Sequence, residues 1–262
     1  MTNIPRFDFH IHTKYLKCAD ETMEVVDIIH ECERLGVTSL GITDHLNYAE
    51  SLDLHLSIKR DIEALEPGMD VYFGVELNFI GMDEDFVLTP EIKEQYGFQF
   101  AIGGIHNTYL EEYDLKQIVD IQHRHHLKAC NDPILDVLVH PYWFNKGEFN
   151  KKDWPWFDSM SSVPESYARE LGQTAKETGT AIEINALANL TNQRYSDRYK
   201  KEYVEYLSIV AEEGPCFSIG SDAHNIGHLA DIEVVWQTAD LLNLSADRIW
   251  HPQHAPLVKA KA

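Results

Sequence analysis

Cysteine is scarce in this chain of 262 residues: four are present, Cys18, Cys32, Cys130 and Cys216, widely spaced and with no C-x-x-C pair. That spacing excludes a disulfide framework and a thiolate zinc ribbon. The first residues also lack a basic segment followed by an apolar run, so the expected setting is reduced and cytoplasmic. Positive charge is short as well. Lysine and arginine number 22 against 43 aspartates and glutamates, a formal net charge of -21. An extended nucleic-acid interface or an anionic membrane surface would call for the opposite balance. No hydrophobic run approaches the roughly 20 residues that cross a bilayer, and there is neither an internal repeat nor a low-complexity tract.

What is present is an alternation of two periodicities. Short β-rich apolar runs are expected as strands at Arg6–Ile11, Val37–Thr43, Val71–Asn78, Phe98–Ile105, Val137–His140, Thr180–Asn185 and Cys216–Gly220. Between the first two, Val25, Val26, Ile28, Ile29, Cys32 and Leu35 follow helical spacing, and Gly36 stands where a helix would stop. Further helices are expected near Leu54–Leu65, Leu115–Lys128, Pro164–Glu177, Tyr199–Glu212 and His228–Leu242. Alternating strands and helices imply a parallel sheet with its crossovers outside, and the length suits one α/β barrel over residues 1–262. The segment Pro141–Pro164 has no periodicity and reads as a long loop carrying Trp143, Phe144, Trp154 and Trp156. The run "HRHH" at 123–126 reads as a solvated or helix-terminal cluster, Asp83–Asp85 as a solvated loop, and the closing "KAKA" as a frayed tail.

The expected strands end in metal-binding residue types. The stretch "FDFHIHTKY" puts His10 and His12 on one face of the first strand, because positions i and i+2 share a face. The second ends "GITDH", the third "GVELN", the fourth "GGIHN", the fifth "LVHP", the sixth "IEIN" and the seventh "SIGSDAH". His10, His12, Asp44, His45, Glu76, His106, His140, Glu183, Asp222 and His224 would therefore meet at the C-terminal rim, where parallel barrels place their chemistry. Many imidazoles with a few carboxylates suit Zn, Mn or Fe better than Ca or Mg, and so many donors exceed what one ion can use. Two ions sharing a bridging hydroxide are the arrangement of many phosphoesterases.

In that order, H-x-H at 10–12, "DH" at 44–45, the glutamate of "GVE", His106, "HP" at 140–141 and "SDAH" at 221–224 resemble the motifs of the PHP family, named for polymerase and histidinol phosphatase. The resemblance implies a distorted (β/α)7 barrel, TIM-like, with two to three divalent transition-metal ions and phosphoesterase activity. Carried over, one metal takes His10, His12, Glu76 and Asp222, and a second shares Glu76 and adds His106 and His140. A third takes His45 and His224 with the residue that follows H-x-H in trinuclear members; that residue is commonly histidine, and here Cys18 stands six beyond His12. Asp222, His224 and Glu76 are the catalytic candidates. Asp44 and Glu183 read as carboxylates that orient ligands. Lys14, Arg194 and Arg198 are candidates for the substrate phosphate. Histidinol phosphatases carry an arginine closer to the "EIN" motif than Arg194, so the substrate is left as a small phosphomonoester, cleaved through a metal-bridging hydroxide. The alternatives are a metal-binding regulatory or assembly protein of the same fold, an amidohydrolase and a nuclease; the first strand of amidohydrolases also carries H-x-H, but "AIGGIHN" lacks the lysine they often need, and the net charge disfavours a nuclease. No oligomeric state is readable.

Overall fold

The computed structural model describes residues 4–78 and 86–261, and Asp83–Asp85 lies outside them. Parallel strands β1 (Phe7–Ile11), β2 (Ser39–Ile42), β4 (Asp70–Asn78), β5 (Phe100–Gly104), β6 (Val137–Leu138), β7 (Ala181–Asn185) and β8 (Phe217–Gly220) follow one another in that spatial order. A two-residue strand, β3 (His45–Leu46), pairs with β4. The sheet closes on itself just past β8, where Ile11 bridges Ala223 and the Asp222 N–H donates to the His10 carbonyl at 2.8 Å. The result is a nearly closed α/β barrel of TIM-like type, as the alternation predicts.

The seven expected strands are all present, most of them shorter by one or two residues. The eighth arises because the expected strand at 37–43 breaks at Thr43 and Asp44 and resumes at His45, which pairs in register with Glu76. Outside lie α1 (Val25–Leu35), α2 (Leu52–Glu63), α4 (Leu115–Cys130), α6 (Glu165–Thr178), α7 (Asp197–Glu213) and α8 (Ile232–Leu241), close to the expected spans. Gly36 ends α1 at φ +77°, a backbone that favours glycine, and donates its N–H to the Cys32 and Glu33 carbonyls. Two short helices, α3 (Pro90–Tyr96) and α5 (Lys146–Lys151), were not legible. Neither offers two full turns of apolar spacing, and α5 divides the segment read as a loop. Its aromatics also pack: Phe144, Phe149 and Phe157 are buried.

The barrel's interior is filled from below by Phe9, Tyr72, Phe100 and Trp250. Phe100 owes its place to two glycines, since a Cβ at Gly41 or at Gly74 would come within 2.5 Å of its ring. Each large apolar side chain removed from water contributes about 1.5–3 kcal/mol.

β1 must serve both that floor and the rim above it. Between the register pairs Asp8↔Leu40 and Ile11↔Ile42, three steps along β1 oppose two along β2, a bulge of one extra residue. Phe9 and His10 consequently both face inward: Phe9 packs on the floor, and His10 joins His12 at the rim. Asp8 pins the bulge, accepting from the His10 N–H at 3.3 Å and the Ser221 N–H at 2.9 Å. Burial pushes its carboxyl up to about 7.

The "HRHH" segment departs from expectation, because His123, His125 and His126 are buried. The face of α4 that carries them packs on α6 and on the segment after β6. His123 stacks flat on Tyr167 with ring centroids 3.9 Å apart and meets Glu170 at 2.8 Å, while His126 lies edge-on to Tyr142. Aromatic partners, unreadable in the sequence, make that face a packing surface.

Candidate metal centre

At the C-terminal ends of the strands, one carboxylate sits among five imidazoles. Glu76 Oε2 lies 2.8 Å from His45 Nδ1 and 3.4 Å from both His10 Nε2 and His12 Nε2, and Oε1 lies 3.3 Å from both His106 Nε2 and His140 Nε2. Asp222 Oδ1 completes one side at 3.4 Å from His10 Nε2 and 3.2 Å from His12 Nε2. The rings of His10 and His12 point their Nε2 atoms at each other across 3.1 Å. Burial works to raise the Glu76 carboxyl, but the neighbouring His45 and His10 hold it well below the usual carboxylate range. The same opposition, with His10 foremost among the countering groups, holds Asp222 low. Burial pushes His12 down to about 3 and His106 down to about 4.

Local backbone aims these groups. Asp222 at φ 58° and His140 at φ 32° both occupy left-handed conformations that cost a non-glycine residue about 1–3 kcal/mol. Such strain persists only where the surroundings fix it, and both positions are strand ends that turn a side chain into the rim. Gly220 makes room, because a Cβ there would lie 2.6 Å from His10 Cβ and collide with Glu183. Glu183 accepts from His10 Nδ1 at 2.7 Å and from the His140 N–H at 2.9 Å, so one carboxylate fixes a ring and a strand end together.

Asp44 holds the backbone beside the ligands. Its oxygens accept from the Thr13 N–H at 3.0 and 3.1 Å and from the Thr13 hydroxyl at 3.1 Å, which ties down the turn after H-x-H, and burial pushes it up to about 7. Beyond that turn, Cys18 Sγ lies 3.8 Å from His12 Nδ1. Cys18, His12, His45 and His224 have one ligand atom each within 4.8 Å of one another, as do His10, His12 and Glu76, and likewise His45, Glu76 and His106. His12 thus turns one ring nitrogen to Cys18 and the other to Glu76, a double role that spacing alone does not reveal.

A cavity of about 730 Å³ opens beside Asp222 and His224, walled by Trp143, Thr191, Arg194, His228 and Asp231 among others. Of the three cations expected near a phosphate, Arg194 lines it. Lys14 is instead paired with Glu24, and Arg198 holds Glu202 at 2.7 Å and the Ser159 hydroxyl at 3.2 Å. Both are drawn to acidic partners on their own segments or nearby, the expected fate of exposed cations in so acidic a chain. Trp143, unassigned in the sequence reading, packs its ring 5.3 Å from His106 and 5.4 Å from His140. Its place among the unperiodic aromatics after β6 was the only signal.

The donor set suits divalent metals. Burial works against charge on His10 and His45, yet the carboxylates around them, Glu183 foremost at His10 and Glu76 at His45, hold both above the usual imidazole range; these buried donors thus call for positive charge, which a divalent ion held by the same atoms would supply.

A nearly closed parallel barrel whose rim gathers imidazoles around a buried glutamate defines a class of α/β proteins with a potential metal site. Within that class, a family model for the PHP domain matches residues 8–221, and the chain belongs to this family. Two solved structures share the fold. One is a histidinol phosphate phosphatase from Lactococcus lactis subsp. lactis Il1403, solved with zinc, L-histidinol and phosphate; it is 14% identical with a TM-score of 0.61, over 99% of this chain and 100% of that one. The other is a putative histidinol phosphatase from Listeria monocytogenes, 12% identical with a TM-score of 0.60, over 85% of this chain and 97% of that one. No curated protein sequence matches the chain. Among the described residues, no helix is long and apolar enough to cross a membrane.

Proposed function

We propose that this chain is a metal-dependent phosphoesterase acting on a small phosphomonoester. The observation that carries the reading is Glu76, whose two oxygens face separate sets of imidazoles, His10, His12 and His45 on one side and His106 and His140 on the other. Glu76 would be shared by two ions, with Asp222 beside His10 and His12, and a third ion would draw on His45, His224 and Cys18. When bound, such ions supply Lewis acidity and an activated water near neutral pH. The residues around them prepare that chemistry. Glu183 keeps the His10 proton on Nδ1 and leaves Nε2 facing inward; the Asp222 carbonyl, 2.8 Å from His224 Nδ1, does the same for His224. Trp143 packs against the rings of His106 and His140 and holds them in place, and Arg194 on the cavity wall offers a guanidinium suited to a phosphate. The neighbour bound to zinc and phosphate supports the reading through fold alone.

The test is metal analysis followed by a phosphomonoester screen, with phosphodiesters and acylated amines as controls. At least two transition-metal ions per chain and monoester hydrolysis well ahead of DNA or RNA are expected. Metal-free protein that gains no activity with Zn or Mn would end this reading.

Cys18 gives a second expected outcome. Burial pushes its thiol up to about 12, so a thiolate that joins a metal must first lose a proton against that tendency. Metal uptake at this position releases a proton, and occupancy should therefore rise with pH more steeply than at the other positions. Under mild chelation one ion should leave before the remaining pair. Cys18→His should hold that ion more tightly and flatten its pH dependence, and Cys18→Ala should keep the pair. Metal counting across a chelator titration decides it: simultaneous loss of every ion from Cys18→Ala would show that the sites are not separable.

Glu183→Gln should weaken metal binding by about 10–100-fold, the usual effect of removing a carboxylate that orients a ligating imidazole. Competition against a chromogenic chelator measures it, and unchanged affinity would remove Glu183 from that role.

A further inference from the structure

The rim has a second opening that shares no wall with the cavity beside Asp222. It is a groove of about 360 Å³ next to His45 and His106, lined by Asn47, Tyr48, Asn78, Asn107, Tyr109 and Asn145. Apart from the two histidines, every described residue that lines it is a neutral amide or a phenol, in a chain with 43 acidic residues. The cavity differs in kind, since Arg194, Asp222, His228 and Asp231 put charges on its wall.

The amides are held in place from behind. Asn145 accepts from the Gly147 N–H at 2.9 Å through its oxygen and caps α5, so its NH2 is left for the groove. Asn78 donates to the Asn47 oxygen and also lies 3.4 Å from His45 Nδ1, while its own Oδ1 is buried with no hydrogen-bond partner. Asn107 bonds to the Tyr109 hydroxyl, and the next residue, Thr108, is clamped by Glu148 through its N–H at 3.0 Å and its hydroxyl at 2.6 Å. On the rim stands Tyr48, 71% exposed and the most exposed of the large apolar or aromatic side chains described.

Fixed amides that both donate and accept, beside an uncovered aromatic face, match a ring or chain bearing neighbouring hydroxyls: the amides pair with hydroxyls, and the aromatic covers a C–H face. Among the described residues that line the groove, none offers a counter-charge to a cationic or anionic group. We infer that this groove is a subsite for a neutral, hydroxyl-rich moiety, so that the preferred substrates are sugar or polyol phosphates whose phosphoryl group lies at the rim and whose hydroxyls lie against Asn47, Asn107 and Asn145. The inference rests on the phosphoesterase reading above and narrows it.

Two measurements on zinc-loaded protein separate the claims. In the first, kcat/KM for ribose 5-phosphate should exceed that for phosphoethanolamine at least tenfold. Tyr48→Ala and Asn107→Ala should each lower the sugar phosphate value about tenfold through KM, leaving phosphoethanolamine unchanged, and Tyr48→Phe should restore it. In the second, saturation-transfer NMR with the non-hydrolysable phosphonate analogue of ribose 5-phosphate needs no turnover. Its ring protons should receive the strongest transfer, and Tyr48→Ala should lose it. Equal treatment of the two substrates, or NMR signals indifferent to Tyr48→Ala and Asn107→Ala, would overturn the inference while leaving the phosphatase intact. Absence of all monoester hydrolysis with ring-proton transfer preserved would instead sink the phosphoesterase reading and keep the subsite.

Discussion

Replacing Glu76 by glutamine should lower turnover by about a thousandfold or more and strip metal from both sides of the centre. The exchange keeps the side chain's shape and removes only its charge, so packing around β4 should barely change. Five imidazoles would then face an amide that can satisfy at most some of them, in a buried setting where the carboxylate is held ionised by His45 and His10. A loss of several kcal/mol of charge stabilisation corresponds to about that factor in rate. Metal content and kcat measured on the same preparation, with a melting curve as control, check it. A Glu76→Gln protein that keeps its metals and turns over within tenfold of the parent would show that the shared carboxylate is dispensable.

The largest expected effect on stability comes from Phe100→Ala. Its ring occupies the middle of the barrel floor, touching Phe9 and Trp250 with centroids 6.1 and 5.5 Å away, and two strands gave up their side chains at Gly41 and Gly74 to admit it. Since those glycines cannot fill the space, the cavity cannot collapse, and the cost should fall at about 3–5 kcal/mol. A melting temperature lower by about 10 °C follows for a chain of this size. Denaturant melts should give the same figure. A change under 1 kcal/mol would mean that the floor repacks freely. The double variant Phe100→Ala with Gly74→Val should recover part of the loss, because the new side chain enters the same space.

How far the sequence carried this picture depended on the kind of signal. Strand ends were legible because a polar ligand type closing an apolar run is a local pattern: His106 after "GGI" and His140 after "LV" needed no knowledge of distant contacts. The chain order of strands and helices was legible for the same reason. Properties that depend on what packs opposite were hidden. The burial of His123 and His126 comes from Tyr167 and Tyr142, 44 and 16 positions away. The second face of His12 comes from Cys18, reached by a turn that Asp44 fixes from the break between β2 and β3. Asp44 reads from the sequence as a carboxylate that orients a ligand; the partners that the fold brings to it are the Thr13 N–H and hydroxyl, which no spacing along the chain announces. Arg194, Lys14 and Arg198 looked alike along the chain, and only the positions of Glu24 and Glu202 separate the one at the cavity from the two that are spoken for.

The extra residue in β1 gives the strand two alternations, one ending at Phe9 and the other beginning at His10. Phe7 and Phe9 can then drift among large apolar side chains without disturbing the ligands, and His10 and His12 can be held constant while the floor is rebuilt beneath them. The join is the vulnerable point. Excising one residue there would straighten the ladder with β2 and look, by hydrogen-bond count, like a repair. It would also rotate everything on one side of the cut by half a turn, sending either the aromatics or the imidazoles into the layer occupied by α1. Point substitutions should therefore be tolerated along much of this strand, and a one-residue deletion almost nowhere within it.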